Sequence, residues 1–295
     1  VQVPVSGVPE GAIKNIDEIV GKYTTTNVFL GEYVFARMIT DKSPENIDFV
    51  EYIVVSDEID ISNNRDITAD LQALINKYPG RTIYFNDGVY NISAPLNLNA
   101  DRENPVSLRL SNYATIKALS TWTGDGAMIT IGAKTDVSKI QGADITLMGG
   151  IIDGSGVAKV GISFENCENP FMSDITFKNL KTSVWAKATA VSINFESITV
   201  NGDASSESIG LLIESSSGVV STSHIANVSI GVKNSGSYND FRNVAVYAKP
   251  NSSAQYGFLE NGTSNVFELC TAQDFACGYF IKDSAKSVFE ASNAY

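Results

Sequence analysis

The C-terminal half of the chain repeats one pattern: a small residue, an apolar residue, then a short run alternating in strand fashion. It reads GISFEN (161–166), SVWAKA (183–188), GLLIES (210–215), GVKNSG (231–236), GFLENG (257–262) and GYFIKD (278–283), returning every 21 to 27 residues. Between these landmarks lies a second short apolar run: DITF (174–177), SITV (197–200), HIANVSI (224–230), NVAVY (243–247) and ELCTA (268–272). One such unit cannot bury its apolar side alone. Self-similarity at this period predicts stacked units, each contacting only its neighbours. Ile162, Phe164, Val184, Ile198, Leu211, Ile213, Val232, Val244, Phe258 and Tyr279 are the inward positions of such a stack. Phe241, Phe267 and Phe289 recur at one phase and predict an internal aromatic column.

The chain upstream has a different texture. Residues 1–60 read as a small N-terminal module or attachment arm, with a short helix over 13–23 and strands over 27–39 and 47–56. Residues 61–295 form the repeating domain. At its start, Asp66 or Thr68 can cap a helix whose apolar face is Leu71, Leu74 and Ile75. TIYF (82–85), the turn NDG and VYNI (89–92) follow as strand, turn, strand.

A capping helix, the segment PGRTIYFNDGVY (79–90), MGGIIDGSG (148–156) and then short repeating strands resemble the pectate-lyase-like superfamily. The resemblance implies an all-β fold, a right-handed parallel β-helix with an N-terminal capping helix. That superfamily includes phage tailspikes and many polysaccharide lyases and hydrolases, so the scaffold leaves the activity open.

The unequal repeat lengths add information. The two long intervals place extra residues in NGDASSES (201–208) and KPNSSAQY (249–256), after the second strand of their coils. Insertions in solenoids map to loops on one face, often the binding face. The last coil stops in mid-pattern at SVFEASNAY (287–295), an open edge that a continuation or a partner chain is expected to cover.

Composition narrows the partners. The net charge of −12 argues against nucleic acid, whose phosphates need clustered Lys and Arg. No run of about 18 apolar residues predicts a membrane-spanning helix. Cys167, Cys270 and Cys277 have no metal-ligand spacing and read as reduced thiols. No metal or cofactor is expected.

Cleavage of a glycosidic bond by the common route needs a pair of carboxylates. Stacked coils line such residues up in columns. Asp153, Glu165, Asp174, Glu196 and Glu214 are the catalytic candidates, with Asp174 and Glu196 at related phases and Glu165 and Glu214 at the same phase. Glu165, Lys187 and Glu214 also read as a surface ladder of alternating charge. Trp185, Tyr247 and Tyr256, with Asp203 and Lys249 of the long loops, are the candidate substrate contacts. Trp185 falls where a core position would take a smaller residue, which predicts an outward indole. The polygalacturonase-type signatures are missing: there is no Asp–Asp pair, no G-H-G and no R-x-K. The single histidine, His224, reads as a surface residue.

The resemblance, the attachment-like N-terminus and the open end favour a phage tailspike or appendage protein of the virion. Such a protein, as a homotrimer, would bind a host surface polysaccharide, and as an enzyme would depolymerise it. A secreted polysaccharide lyase or hydrolase and a non-catalytic structural or adhesin β-helix are the alternatives.

Overall fold

The alternation of buried and half-buried residues becomes three long parallel sheets. The computed structural model describes residues 12–13, 19–20, 22–24, 34, 39–40, 52–98, 105–132, 145–248, 254–283 and 286–295. The chain divides into Val1–Glu51 and Tyr52–Tyr295. In the first unit, Tyr23–Thr24 pairs antiparallel with Ile39–Thr40. The helix expected over 13–23 and the strand over 27–39 fall mostly outside the described residues. The strand expected over 47–56 is seen at Ile53–Val54, after which Val55–Glu58 forms one helical turn.

The second unit is an all-β parallel solenoid. Sheet I has ten strands, from Ile53–Val54 to Val288–Glu290. Sheet II has nine, from Gly88–Ile92 to Asn293–Ala294, and sheet III has eight, from Leu96–Leu98 to Cys277–Ile281. Each coil visits sheets I, II and III in turn, and every strand pairs in parallel with its counterparts one coil away. Leu147, Met172, Phe195, Val220, Phe241, Phe267 and Phe289 form one inward column of sheet I. Within it, Phe241 and Phe267 stack at 4.7 Å between centroids, and Phe267 and Phe289 at 4.6 Å. Phe258 and Tyr279 stack beside them at 4.9 Å. Aromatic pairs of this kind add about 0.5–1.5 kcal/mol each beyond the area they bury.

The small residue that opens each repeat has a packing cause. Gly161, Ser183, Gly210, Gly231, Gly257 and Gly278 sit at the second position of successive sheet III strands. A Cβ on Gly231 would lie 2.5 Å from the Gly257 carbonyl oxygen and 2.7 Å from Val246 Cγ1. The facing sheet leaves no room for a larger group there.

The corner between sheets I and II is the most uniform part of the coil. From Gly149–Gly150 onwards it is two residues long in every coil. Its first residue takes a left-handed conformation: Gly149, Asp174, Ser197, Thr222, Asn243, Leu269 and Ala291. Such backbone disfavours most side chains. Coil-to-coil bonds hold it in place; the Asp174, Ser197 and Thr222 amides donate to the Glu196, Ser221 and Arg242 carbonyls. The loops joining sheets II and III vary instead. Residues 93–95, 179–181, 227–229 and 274–276 are minimal, whereas 119–126, 154–159, 202–208 and 248–255 are extended.

Helix Thr68–Lys77 buries Leu71, Leu74 and Ile75. Its first N–H is received by Asp66 Oδ1 at 3.0 Å, and Gln72 bonds both backbone groups of Asn97 on the first strand of sheet III.

One polar cluster interrupts the apolar interior. Glu260 occupies an inward column of sheet III, between Asn234 and Ile281, and is 1 % exposed. Its carboxylate accepts from Asn234 Nδ2 and Asn265 Nδ2 at 2.7 Å each, and from the Gly262 amide and the Ser287 hydroxyl at 3.1 Å. Asn239 and Asn265 continue the network from coil to coil: the Gly218 amide donates to Asn239 Oδ1 and the Asn239 amide to Asn265 Oδ1, both at 2.8 Å.

The three thiols are free. Burial pushes Cys167 up to about 12 and Cys270 up to about 11, so neither forms thiolate near neutral pH. Cys277 is half-buried on the outer face of sheet III. Native alkylation at pH 8 followed by peptide mass mapping is expected to label Cys277 and spare the other two. Labelling of Cys167 at a comparable rate would contradict the burial.

Candidate functional site

In the strands of sheet III the third and fifth residues point in and the fourth points out. The outward column runs Ser163, Trp185, Leu212, Lys233, Leu259, Phe280. Phe164, Ala186 and Ile213 align in the adjacent inward column, so the residues that follow them, Glu165, Lys187 and Glu214, leave their strands at one level in three successive coils. The register therefore gathers four polar or aromatic groups from coils spaced about 4.8 Å apart.

The Trp185 indole N–H donates to Glu214 Oε2 at 2.9 Å. Lys187 Nζ donates to Glu165 Oε1 at 2.6 Å and lies 4.7 Å from the Trp185 ring centroid. Ser163 Oγ donates to the same Glu165 oxygen at 2.7 Å. The expected ladder of alternating charge is thus half realised: Lys187 pairs with Glu165, while Glu214 takes the indole. The indole is fixed by a hydrogen bond on its edge and a cation over its ring. Beside it lies a groove of about 430 Å³ lined by Thr130, Ser163, Glu165, Trp185 and Lys187, with Asp125 and Gly126 of the extended loop 119–126 as one wall.

The other candidates lie elsewhere. Asp174 stands at the corner between sheets I and II, whereas Glu196 ends a sheet I strand and aligns with Ser173, so the two are one position out of phase. Their phases are thus related but not shared: Asp174 belongs to the corner and Glu196 to a strand. Asp153 is on the outer face of sheet II, where it accepts from Asn179 Nδ2 at 2.9 Å and the Ser155 amide at 2.8 Å. Tyr247 is also on sheet II and stacks on His224 at 4.7 Å. Tyr256 faces outwards on sheet III, three coils beyond Thr182, with its ring 5.0 Å from that of Phe280. Asp203 closes its own loop by accepting the Ser205 amide at 2.9 Å. Lys249 lies outside the described residues.

The sequence reading missed Asp125, Thr130 and Ser163 as groove residues. Thr130 and Ser163 are ordinary strand positions whose role comes only from the register with Trp185. Asp125 had a signal: TWTGDG (121–126) is a turn-rich insertion on the same flank as the two long loops.

The fold is that of a three-sheet parallel β-solenoid. No protein-family model and no curated protein matches the chain. Solved structures do. The Acinetobacter phage vb_AbaP_AS12 tailspike matches with TM-score 0.64 at 11% identity, over 82% of this chain and 46% of that one. A mutant tailspike of E. coli bacteriophage HK620, in complex with a pentasaccharide, matches with TM-score 0.62 at 15% identity, over 98% and 55%. ORF18 of Geobacillus virus E2 matches with TM-score 0.56 at 13% identity, over 90% and 66%. The chain spans about half the length of the two tailspikes. At these identities the likeness is one of fold.

Proposed function

We propose that this chain is the solenoid of a phage tailspike or appendage-type protein of the virion, and that it binds a polysaccharide of the host surface. The observation that carries the reading is the fixed, outward Trp185 beside Glu165 and Lys187 in the sheet III groove, with Glu214 on its indole N–H. A sugar ring presents an apolar face of C–H groups and a rim of hydroxyls. The indole suits the first, and the carboxylates, ammonium and hydroxyls around it suit the second. Lys187 lies over the Trp185 ring, where its ammonium can also meet a sugar hydroxyl. The HK620 tailspike with its pentasaccharide supports the ligand class by analogy of fold alone.

Binding to a panel of capsular and lipopolysaccharide glycans, followed by calorimetry with the best of them, tests this. Trp185→Ala is expected to weaken binding about 10- to 50-fold, in line with the loss of one well-packed aromatic contact. A wild-type chain that binds none of the panel, or a Trp185→Ala chain that binds as well as wild type, would remove the groove from consideration.

Cleavage is a second reading, favoured by the presence of two carboxylates flanking the indole on either side along the solenoid axis. A homotrimer belongs to the same proposal. Light scattering should then give three times the 31.6 kDa chain mass, and a stable monomer would count against it.

A further inference from the structure

A second groove, of about 590 Å³, lies at the corner between sheets I and II. Its polar lining is Arg109, Asn112, Asp174, Thr176, Ser197 and Thr199. Where the next coils carry Asp174 and Ser197, this coil has Gly149, left-handed at φ 75°; Gly150, at φ 74°, stands in the row of the buried Ile175 and Ile198. A Cβ on Gly149 would lie 2.2 Å from the Leu110 carbonyl oxygen, and one on Gly150 would lie 2.5 Å from Leu110 Cβ. The two glycines let this coil close tightly on Leu110, and the groove runs past them with Arg109 and Asn112 on one side and Asp174 on the other.

The charged groups of this groove, Arg109 and Asp174, form no ion pair among the described residues. Arg65 and Arg242 each meet a carboxylate. Arg109 does not, among the described residues; its Nη1 donates to the Tyr52 hydroxyl at 2.9 Å, which aims the guanidinium while leaving its charge uncompensated. Asp174 accepts no side-chain hydrogen bond among the described residues, although its backbone amide is tied to Glu196. In a chain with net charge −12, an arginine without a carboxylate partner is notable.

We propose that this corner is a second binding site, for a glycan segment carrying a carboxylate, separate from the Trp185 groove. Arg109 receives the sugar carboxylate in its planar fork of donors. Asn112, Thr176, Ser197 and Thr199 bond ring hydroxyls, and Asp174 accepts from a hydroxyl on the neighbouring sugar. Arg109 and the Asp174 level are two coils apart, an axial distance of about 10 Å, so the ligand spans more than one ring. The volume falls within the range of about 300–1,000 Å³ typical of small-ligand sites. The proposal shares with the preceding section only the class of ligand.

The test titrates the full ¹⁵N-labelled chain with a uronic acid tetrasaccharide and with its carboxyl-reduced counterpart. Saturable amide shifts at Gly149, Gly150 and Ser197 are expected with the acidic probe. Arg109→Gln should weaken that binding at least tenfold, Arg109→Lys should restore part of it, and Trp185→Ala should leave it unchanged. The reduced probe should bind at least tenfold more weakly and be indifferent to Arg109→Gln. Absence of saturable shifts at the corner overturns the proposal, as does an Arg109→Gln chain with wild-type affinity. Shifts confined to residues around Trp185 would overturn it too, while leaving the first groove standing.

Discussion

Glu260→Leu is expected to destabilise the solenoid by about 4 kcal/mol, seen as a lower denaturation midpoint in urea at unchanged slope. The volume is similar and the neighbours in the column, Asn234 and Ile281, would tolerate it sterically. The damage is polar. Among the described donors, two asparagine amides, the Gly262 N–H and the Ser287 hydroxyl converge on the carboxylate. Leucine leaves them buried and without their acceptor, at about 1–3 kcal/mol for each group that finds no substitute. The smaller figure for the whole allows part of the cluster to relax toward other carbonyls. Glu260→Gln keeps one carbonyl oxygen but adds an NH₂ among donors, and should lose roughly half as much. A Glu260→Leu chain as stable as wild type would mean that the network contributes nothing net.

Glu214→Gln is expected to lower depolymerisation at least 100-fold while leaving glycan affinity within about threefold of wild type. A general acid contributes about 10²–10⁴ to rate, and glutamine keeps the oxygen that receives the Trp185 indole. Glu165 and Glu214 begin two coils apart, an axial offset of about 10 Å. Their side chains are long enough to shorten that toward the about 6.5–9.5 Å of inverting pairs. On the cleavage reading one of the two would protonate the leaving oxygen and the other activate water, with Lys187 on Glu165 and the Trp185 indole on Glu214 fixing their positions. The measurement is reducing-end release from the polysaccharide that binds, with a 232 nm reading to detect an unsaturated product. Undiminished release by the Glu214→Gln chain would remove this pair from the chemistry. No release by wild type would leave a binding module.

The solenoid was legible because its determinants are local. A small residue against the facing sheet, an apolar pair and a turn recur in each coil, and any one coil predicts the next. The inward column of Phe241, Phe267 and Phe289 follows from spacing alone. The groove was only partly legible, since a side chain's neighbours lie one coil away, at a distance set by turn lengths. Glu165 and Glu214 shared a phase because both follow sheet III strands directly. Asp174 and Glu196 have only related phases, one in the corner and one at a strand end, one position apart. Glu260 gave no signal, because a glutamate in a strand reads as an outward residue unless its buried asparagine partners are known.

The coil-to-coil register also governs how the chain acquires its structure. Each strand finds its partner one repeat away in sequence, so no pairing must wait for distant parts of the chain to meet. Growth can start at any adjacent pair of coils and spread in both directions, with the first pair as the slow step. A lesion at Glu260 would then act as a break in a zipper. The coils before it would still close first, and those after it would add more slowly, so that refolding slows while unfolding stays a single transition.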